Sequence, residues 1–168
     1  MADEDESLTS EVRPTSLPDS LVEELYLTER VRLIRLALLV IGSRASAEDV
    51  VQESFLRLRS TSTELKDPVR YLRRIVLNQA RQVLRRREVE RRHLPGEPGV
   101  VLPPDLDEMW QLLAGLSENR RVALVLRYYE DLPFSEIARL MDCRESTARS
   151  LVHRGLKSLR GKIDADDR

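Results

Sequence analysis

In the stretch DPVRYLRRIVLNQARQVLRRREVERR, residues 67–92, cationic side chains recur at a spacing that could hold an anionic polymer. At about 100° per helical residue from Arg70, Arg81 falls at about 20°, Arg74 and Arg92 at about 40° and Arg85 at about 60°. These five form one stripe, with Asn78 at its border at about 80°. Leu72, Val83, Val76 and Val69 project across from it, at about 200° to 260°, so the same helix carries a core face and a basic face. From Pro68 to Arg92 nine Arg stand against Glu88 and Glu90, an excess of seven positive charges in a chain whose formal net charge is −1. Of 28 basic residues 25 are Arg, a bias that favours planar, multi-donor contacts such as those to phosphates and that a GC-rich genome would also produce.

A solvated face, a membrane-surface helix and a nucleic-acid contact all fit such a stripe. The apolar face lacks Trp and Phe and the basic face lacks Lys, unlike a membrane-surface helix. A single-sign stripe repels itself unless something anionic lies against it. The helix alone leaves a solvated face and nucleic acid both open.

A second constellation bears on that choice. In FSEIARLMDCRESTARSLVHR, residues 134–154, an apolar helix with Ala138 at a close-approach position is followed by a short polar turn and a second helix from near Glu145. This is a helix-turn-helix pattern. Arg144, Arg149, Arg154 and Lys157 supply positive charge, Leu151 is expected to face inward, and the N-terminal residues of such a helix can meet base edges in a major groove. The tight turn has Asp142 where Gly is usual, which requires Asp142 to take a left-handed backbone.

Other chemistry finds little support. His93 and His153 are the only histidines, and there is no glycine-rich phosphate loop, paired cysteine or nucleophile-base arrangement, so the chain is read as neither an enzyme nor a metal or cofactor protein. Cys143 stands alone and is expected to pack beside the turn. The longest apolar run, Leu36–Ile41, has six residues, far below the roughly 20 of a membrane span. The acidic start MADEDESLTSEVRP is unlike a secretory signal, and a cytoplasmic location is expected.

The elements that position these residues read as all-α, since aromatic residues make up only 4% and no stretch alternates with strand period. Residues 1–18 form an acidic tail; residues 1–24 carry eight acids against Arg13 alone. A first helix is expected to be capped by Asp19 or Ser20 and to stop at Gly42. A second starts at Ser46, in a capping-box pattern with Asp49, places Val50, Val51, Phe55 and Leu58 on one face, and fades near 59–63. Asp67-Pro68 opens the long basic helix, which runs to about Arg92. HLPGEPGVVLPPD, residues 93–105, is a linker with four Pro and two Gly. Helices over 106–115, 117–129, 133–141 and 145–162 follow, and 163–168 form a tail. The parse is two small helical domains, 19–92 and 106–162, joined by a Pro/Gly-rich linker, the second with the helix-turn-helix. Gly155 weakens the last helix by about 1 kcal/mol.

In order and spacing the two halves resemble the sigma-70 family of bacterial RNA polymerase specificity factors, in its extracytoplasmic-function subgroup. The matching segments are Ala47 to Leu56, Tyr71 to Asn78, Arg85-Arg86-Arg87, Leu116 to Leu124, Arg127 to Leu132, Glu136-Ile137-Ala138 and Thr147 to Arg154. The resemblance implies that Asp49, Gln52 and Glu53 dock on the clamp helices of the largest polymerase subunit. It implies that Arg70, Tyr71, Arg74, Asn78, Arg81 and Arg85 capture the melted strand of the −10 promoter element, with Asn78 helping to select a base. Arg144, Ser146, Thr147, Arg149, Ser150, His153 and Arg154 would then read the −35 element as duplex, and the linker would thread the polymerase between the two sites. The implied partners are core RNA polymerase, through clamp helices and flap, promoter DNA and an anti-sigma factor, with no small-molecule substrate. Pro133, Ala148 and Gly155 depart from the family pattern, which usually has Ser, Val and Ala there. A helix-turn-helix operator-binding regulator that replaces no sigma factor is the alternative, and it leaves the Gln52-Glu53 and Asn78 helices unexplained.

Overall fold

The computed structural model describes residues 17–61, 65–91 and 104–166, and among them every element is helical. The acidic tail up to residue 16, Arg92 and nearly all of the expected linker lie outside the described residues. In the first half α1 (Asp19–Ile41), α2 (Arg44–Arg59) and α3 (Pro68–Arg91) pack on one another. In the second half α4 (Pro104–Ala114), α5 (Glu118–Leu124), a π-helical turn (Val125–Tyr129), α6 (Phe134–Met141) and α7 (Glu145–Asp166) follow.

The helix ends show which local signals prevail. Gly42 (φ 74°) closes α1, its N–H donating to Leu38 O at 2.7 Å. The start of α1 is Pro18, with no side-chain cap, so the expected Asp19 or Ser20 cap is corrected; Asp19 instead lies in the first turn, where its charge suits the helix dipole. The expected Ser46 cap of α2 moves three residues back. Ser43, the first extended residue after the left-handed Gly42, accepts from Ser46 N–H at 3.4 Å. Asp67 caps α3 as expected, its Oδ1 accepting from Arg70 N–H at 2.9 Å. Helix α7 continues to Asp166, into residues expected to form a tail.

Leu72 and Val76 of α3 are fully buried and Val69 and Val83 half-buried, as the projection predicts. Leu77 is buried too, although at about 340° it borders the basic stripe. It lies on the flank of α3 that faces the second half, and one hydrophobic cluster runs through both halves. Trp110 of α4 seals that junction. It lies so tightly on Gly42 that a Cβ there would fall inside the indole ring, and the buried guanidinium of Arg121 is 5.0 Å from the ring centroid.

At seven residues α5 is too short to be stable alone, so it and the turn that follows depend on burying Val122, Leu124 and Leu126, each contributing about 1.5–3 kcal/mol. Helix α5 packs on α7 at Gly155, where a Cβ would lie 2.8 Å from Leu124 Cδ1. Gly155 is therefore a close-approach position as well as a helix-weakening one. The expected single helix over 117–129 divides at the π turn: Glu130 N–H donates to Val125 O at 3.1 Å, and Asp131 then takes φ 50°. The extra residue in that turn swings Glu130 inward, where it is buried.

Candidate nucleic-acid interface

Two helices carry the candidate DNA-facing residues, and their surroundings differ. On α3 the basic stripe is divided. Arg74, Asn78 and Arg85 are exposed and make no ion pair with the described residues. Arg70 and Arg81, on the flank nearer the second half, are engaged by it. Arg81 Nε donates to Glu118 Oε1 at 2.8 Å and Nη2 to Asn119 Oδ1 at 3.0 Å. Arg70 Nε lies 2.7 Å from Glu136 Oε1, an ion pair by distance but not along the N–H direction of a hydrogen bond. Tyr71 is half-buried, its hydroxyl 3.2 Å from Thr61 Oγ1, which ties α3 to the end of α2.

Beside this stripe is a cluster that the local sequence pattern does not disclose. The Glu130 carboxylate, 1% exposed, accepts from Arg73 Nε of α3 at 2.8 Å and from Arg32 Nε of α1 at 3.1 Å. Arg73 is itself 12% exposed, so this is a mostly buried triad across the two halves. Tyr129, next in sequence, is half-buried, and burial pushes its phenol above its ordinary value of 10.0 despite the opposing Arg35 charge. Arg87 serves the fold rather than the stripe. It donates to Ser46 Oγ at 2.7 Å and to Ile41 O, satisfying a carbonyl at the end of α1.

On α7 the packing side is Ala148, Val152 and Gly155, all buried, with Leu151 half-buried against the core. Asp142 takes the left-handed conformation expected of it (φ 51°), and Cys143 is half-buried beside the turn. Arg144, Ser146, Thr147, Arg149, His153, Arg154 and Lys157 are exposed and Ser150 is half-buried, so one face of the second helix is open to a groove. Arg149 differs from the other cations of this face in having described side-chain partners: Nη2 donates to Glu145 Oε1 at 2.8 Å, and its guanidinium lies 4.4 Å from the Phe134 ring centroid.

Away from the cationic faces, Asp49, Gln52 and Glu53 lie exposed on α2, with Glu53 paired with Arg57 at 3.0 Å. Gln52 borders a groove of about 710 Å³ between α1 and α2 that Tyr26, Phe55 and Leu56 also line. Tyr26 and Leu56 are 41% and 52% exposed, apolar surface next to polar residues that sequence reasoning singled out without them. A second groove, of about 420 Å³ and mostly apolar, has Leu39 on one side and Met109, Leu113, Tyr128 and Leu156 on the other. Among the described residues no group of His, Cys, Asp and Glu is placed to hold a metal, and no helix is long and apolar enough to cross a membrane.

The architecture has known counterparts. The Sigma-70 region 2 family model matches residues 25–89 and the Sigma-70, region 4 model matches residues 106–159. The chain is 31% identical over 147 residues to the ECF RNA polymerase sigma factor SigJ of Mycobacterium tuberculosis, covering 77% of this chain but only 47% of that protein, so it spans about half of that relative's length. To the RNA polymerase sigma-E factor of Streptomyces coelicolor it is 27% identical over 154 residues, covering 86% of this chain and 87% of that protein. The structure of the sigma factor RpoE in complex with the anti-sigma factor NepR from Bartonella quintana superposes with a TM-score of 0.73 at 22% identity, over 89% of this chain and 99% of that one. CnrH in complex with the cytosolic domain of CnrY gives 0.71 at 22%, over 91% and 94%. With the region 2 and region 4 matches falling on the halves that carry the two cationic helices, this chain belongs to the sigma-70 family, in its ECF group.

Proposed function

We propose that this protein is a promoter-specificity subunit that binds core RNA polymerase and directs it to promoters, catalysing no reaction of its own and acting in the cytoplasm. The carrying observation is that one chain presents two separate cationic helical faces, one of them the second helix of a helix-turn-helix and the other bordered by an exposed amide, Asn78. Helix α7 enters the duplex major groove at the −35 element through Arg144, Ser146, Thr147, Arg149, Ser150, His153 and Arg154. Helix α3 holds the melted −10 strand, with Arg70, Arg74, Arg81 and Arg85 neutralising phosphates and Asn78 meeting an unstacked base. Tyr71, half-buried and bonded toward Thr61, offers a ring edge beside that strand. Asp49, Gln52 and Glu53, with the adjoining Tyr26–Leu56 groove, are the surface for the clamp helices of the polymerase.

While Glu136 and Glu118 lie against Arg70 and Arg81, strand phosphates compete with these carboxylates for the two guanidiniums. Full use of all four stripe arginines by the −10 strand is therefore favoured when the second half parts from α3. The relatives RpoE and CnrH are each held in a complex, RpoE with an anti-sigma factor; a protein inhibitor of that kind, covering the exposed apolar grooves, is the corresponding partner here. Run-off transcription from genomic fragments with core polymerase tests the reading: specific transcripts that depend on this protein are expected. No specific initiation, together with no association with core enzyme, would overturn it and favour an operator-binding regulator, which needs only α7.

A further inference from the structure

Resting on the reading of α7 as the −35 helix, we propose that Phe134 is a positioning residue that sets Arg149 as the base reader of that helix, and that the base it reads is a guanine. Among the exposed cations from the turn into α7, Arg144, Arg154 and Lys157 have no side-chain partner among the described residues. Arg149 is held from two directions, by the Phe134 ring at 4.4 Å and by Glu145 at 2.8 Å.

The ring is itself fixed. Phe134 is the first residue of α6, directly after Pro133, whose φ is restricted by its own ring, and it packs half-buried against the core. Arg127 approaches the same ring at 5.3 Å and is anchored by Nη1 donating to Leu132 O at 3.0 Å. A guanidinium on an aromatic ring uses its face and keeps its N–H edge free. Glu145 takes one donor of that edge. The remaining donors form a planar fork, which matches the O6 and N7 acceptors of guanine. A side chain already confined in this way loses less freedom on meeting a base than a solvated one does. Free cations, by contrast, suit phosphates, which lie along the groove and tolerate many side-chain geometries.

The test uses the full chain bound to core polymerase and a duplex library randomised over the upstream promoter region. The wild-type holoenzyme is expected to enrich one sequence containing a guanine whose substitution weakens binding about tenfold. Phe134→Leu, which keeps apolar bulk and removes the π face, is expected to reduce discrimination at that one base pair to near unity, with the salt slope and association with core polymerase unchanged. Phe134→Tyr should restore it. Placed on an Arg149→Ala background, Phe134→Leu should cause no further loss of discrimination, because the ring acts through the guanidinium. Arg154→Ala, in contrast, should weaken all duplexes alike and lower the salt slope by about one. The assignment is overturned if Phe134→Leu leaves discrimination intact, if it lowers affinity for every duplex equally, or if its effect persists undiminished without Arg149. If the wild-type holoenzyme binds core enzyme yet enriches no duplex, the promoter-reading function itself fails and this assignment fails with it.

Discussion

Helices α3 and α7 both present arginine to solvent, but among the described residues distant elements supply carboxylates to one and none to the other. Along α3, Arg70, Arg73 and Arg81 meet Glu136, Glu130 and Glu118 in turn. Along α7 the described carboxylate partner is Glu145, on the same helix. The proposed duplex reader is thus open in the chain as it folds, whereas on the helix proposed to hold the strand Arg70 and Arg81 are shared with carboxylates of the second half. A basic stripe on a helix therefore states a capacity for anions, and the rest of the fold decides when that capacity is available.

The buried triad is the first place to break the comparison. Glu130→Ala leaves Arg73 with no counter-charge in a mostly buried setting and should destabilise the fold by about 3 kcal/mol, the lower end for a broken buried pair because Arg32 is 45% exposed. Urea unfolding followed by the fluorescence of Trp110, the sole tryptophan, measures it. A loss below about 0.5 kcal/mol, the range of ordinary surface changes, would mean that the triad does not hold the halves together.

The two partly exposed pairs sharpen the comparison at a smaller cost in stability. Glu118→Gln with Glu136→Gln should destabilise by no more than about 1 kcal/mol per pair, since both arginines are partly solvated. It should also release two cations to DNA, steepening the salt dependence of free-chain binding to a single-stranded oligonucleotide by about 1.4. The equivalent neutralisation on α7, Glu145→Gln, should leave single-strand binding unchanged. If the two salt slopes respond alike, the contrast between the helices is lost.

The smallest effect is a pH dependence at the same junction. Because burial raises the phenol of Tyr129, its contribution to stability is fully present below the ordinary value of 10.0 and is lost as pH rises through the higher folded value. Tyr129→Phe should remove that loss, seen as a thermal midpoint that changes less than the wild type's once pH exceeds 10.0.

Much of this arrangement can be read from local pattern. Asp67-Pro68 starts α3, Gly42 stops α1 and Asp142 turns left-handed because each is dictated by backbone geometry within a few residues. The faces of α2, α3 and α7 follow from helical period. What escapes the local pattern depends on distant chain. Ser43 rather than Ser46 caps α2 because Gly42 ends the preceding helix so abruptly. Glu130 meets Arg73 and Arg32, 57 and 98 residues away, only because a π turn, with no clear sequence mark, rotates it inward. Leu77 is buried although the projection sets it at the border of the basic stripe, and Gly155, read as a helix-weakening residue, is also the point where Leu124 approaches α7. For the candidate site, the positions of the exposed α7 residues were legible, whereas the division of the α3 stripe into engaged and free arginines was not.

The division of labour between α7 and α3 is tested most directly by footprinting promoter complexes of the holoenzyme while strand opening is followed by permanganate reactivity, in Arg149→Ala and Asn78→Ala side by side. The account predicts that Arg149→Ala weakens protection of the upstream duplex, while Asn78→Ala leaves that protection intact and loses reactivity at the opened strand. Equal loss of upstream protection in both variants would contradict it.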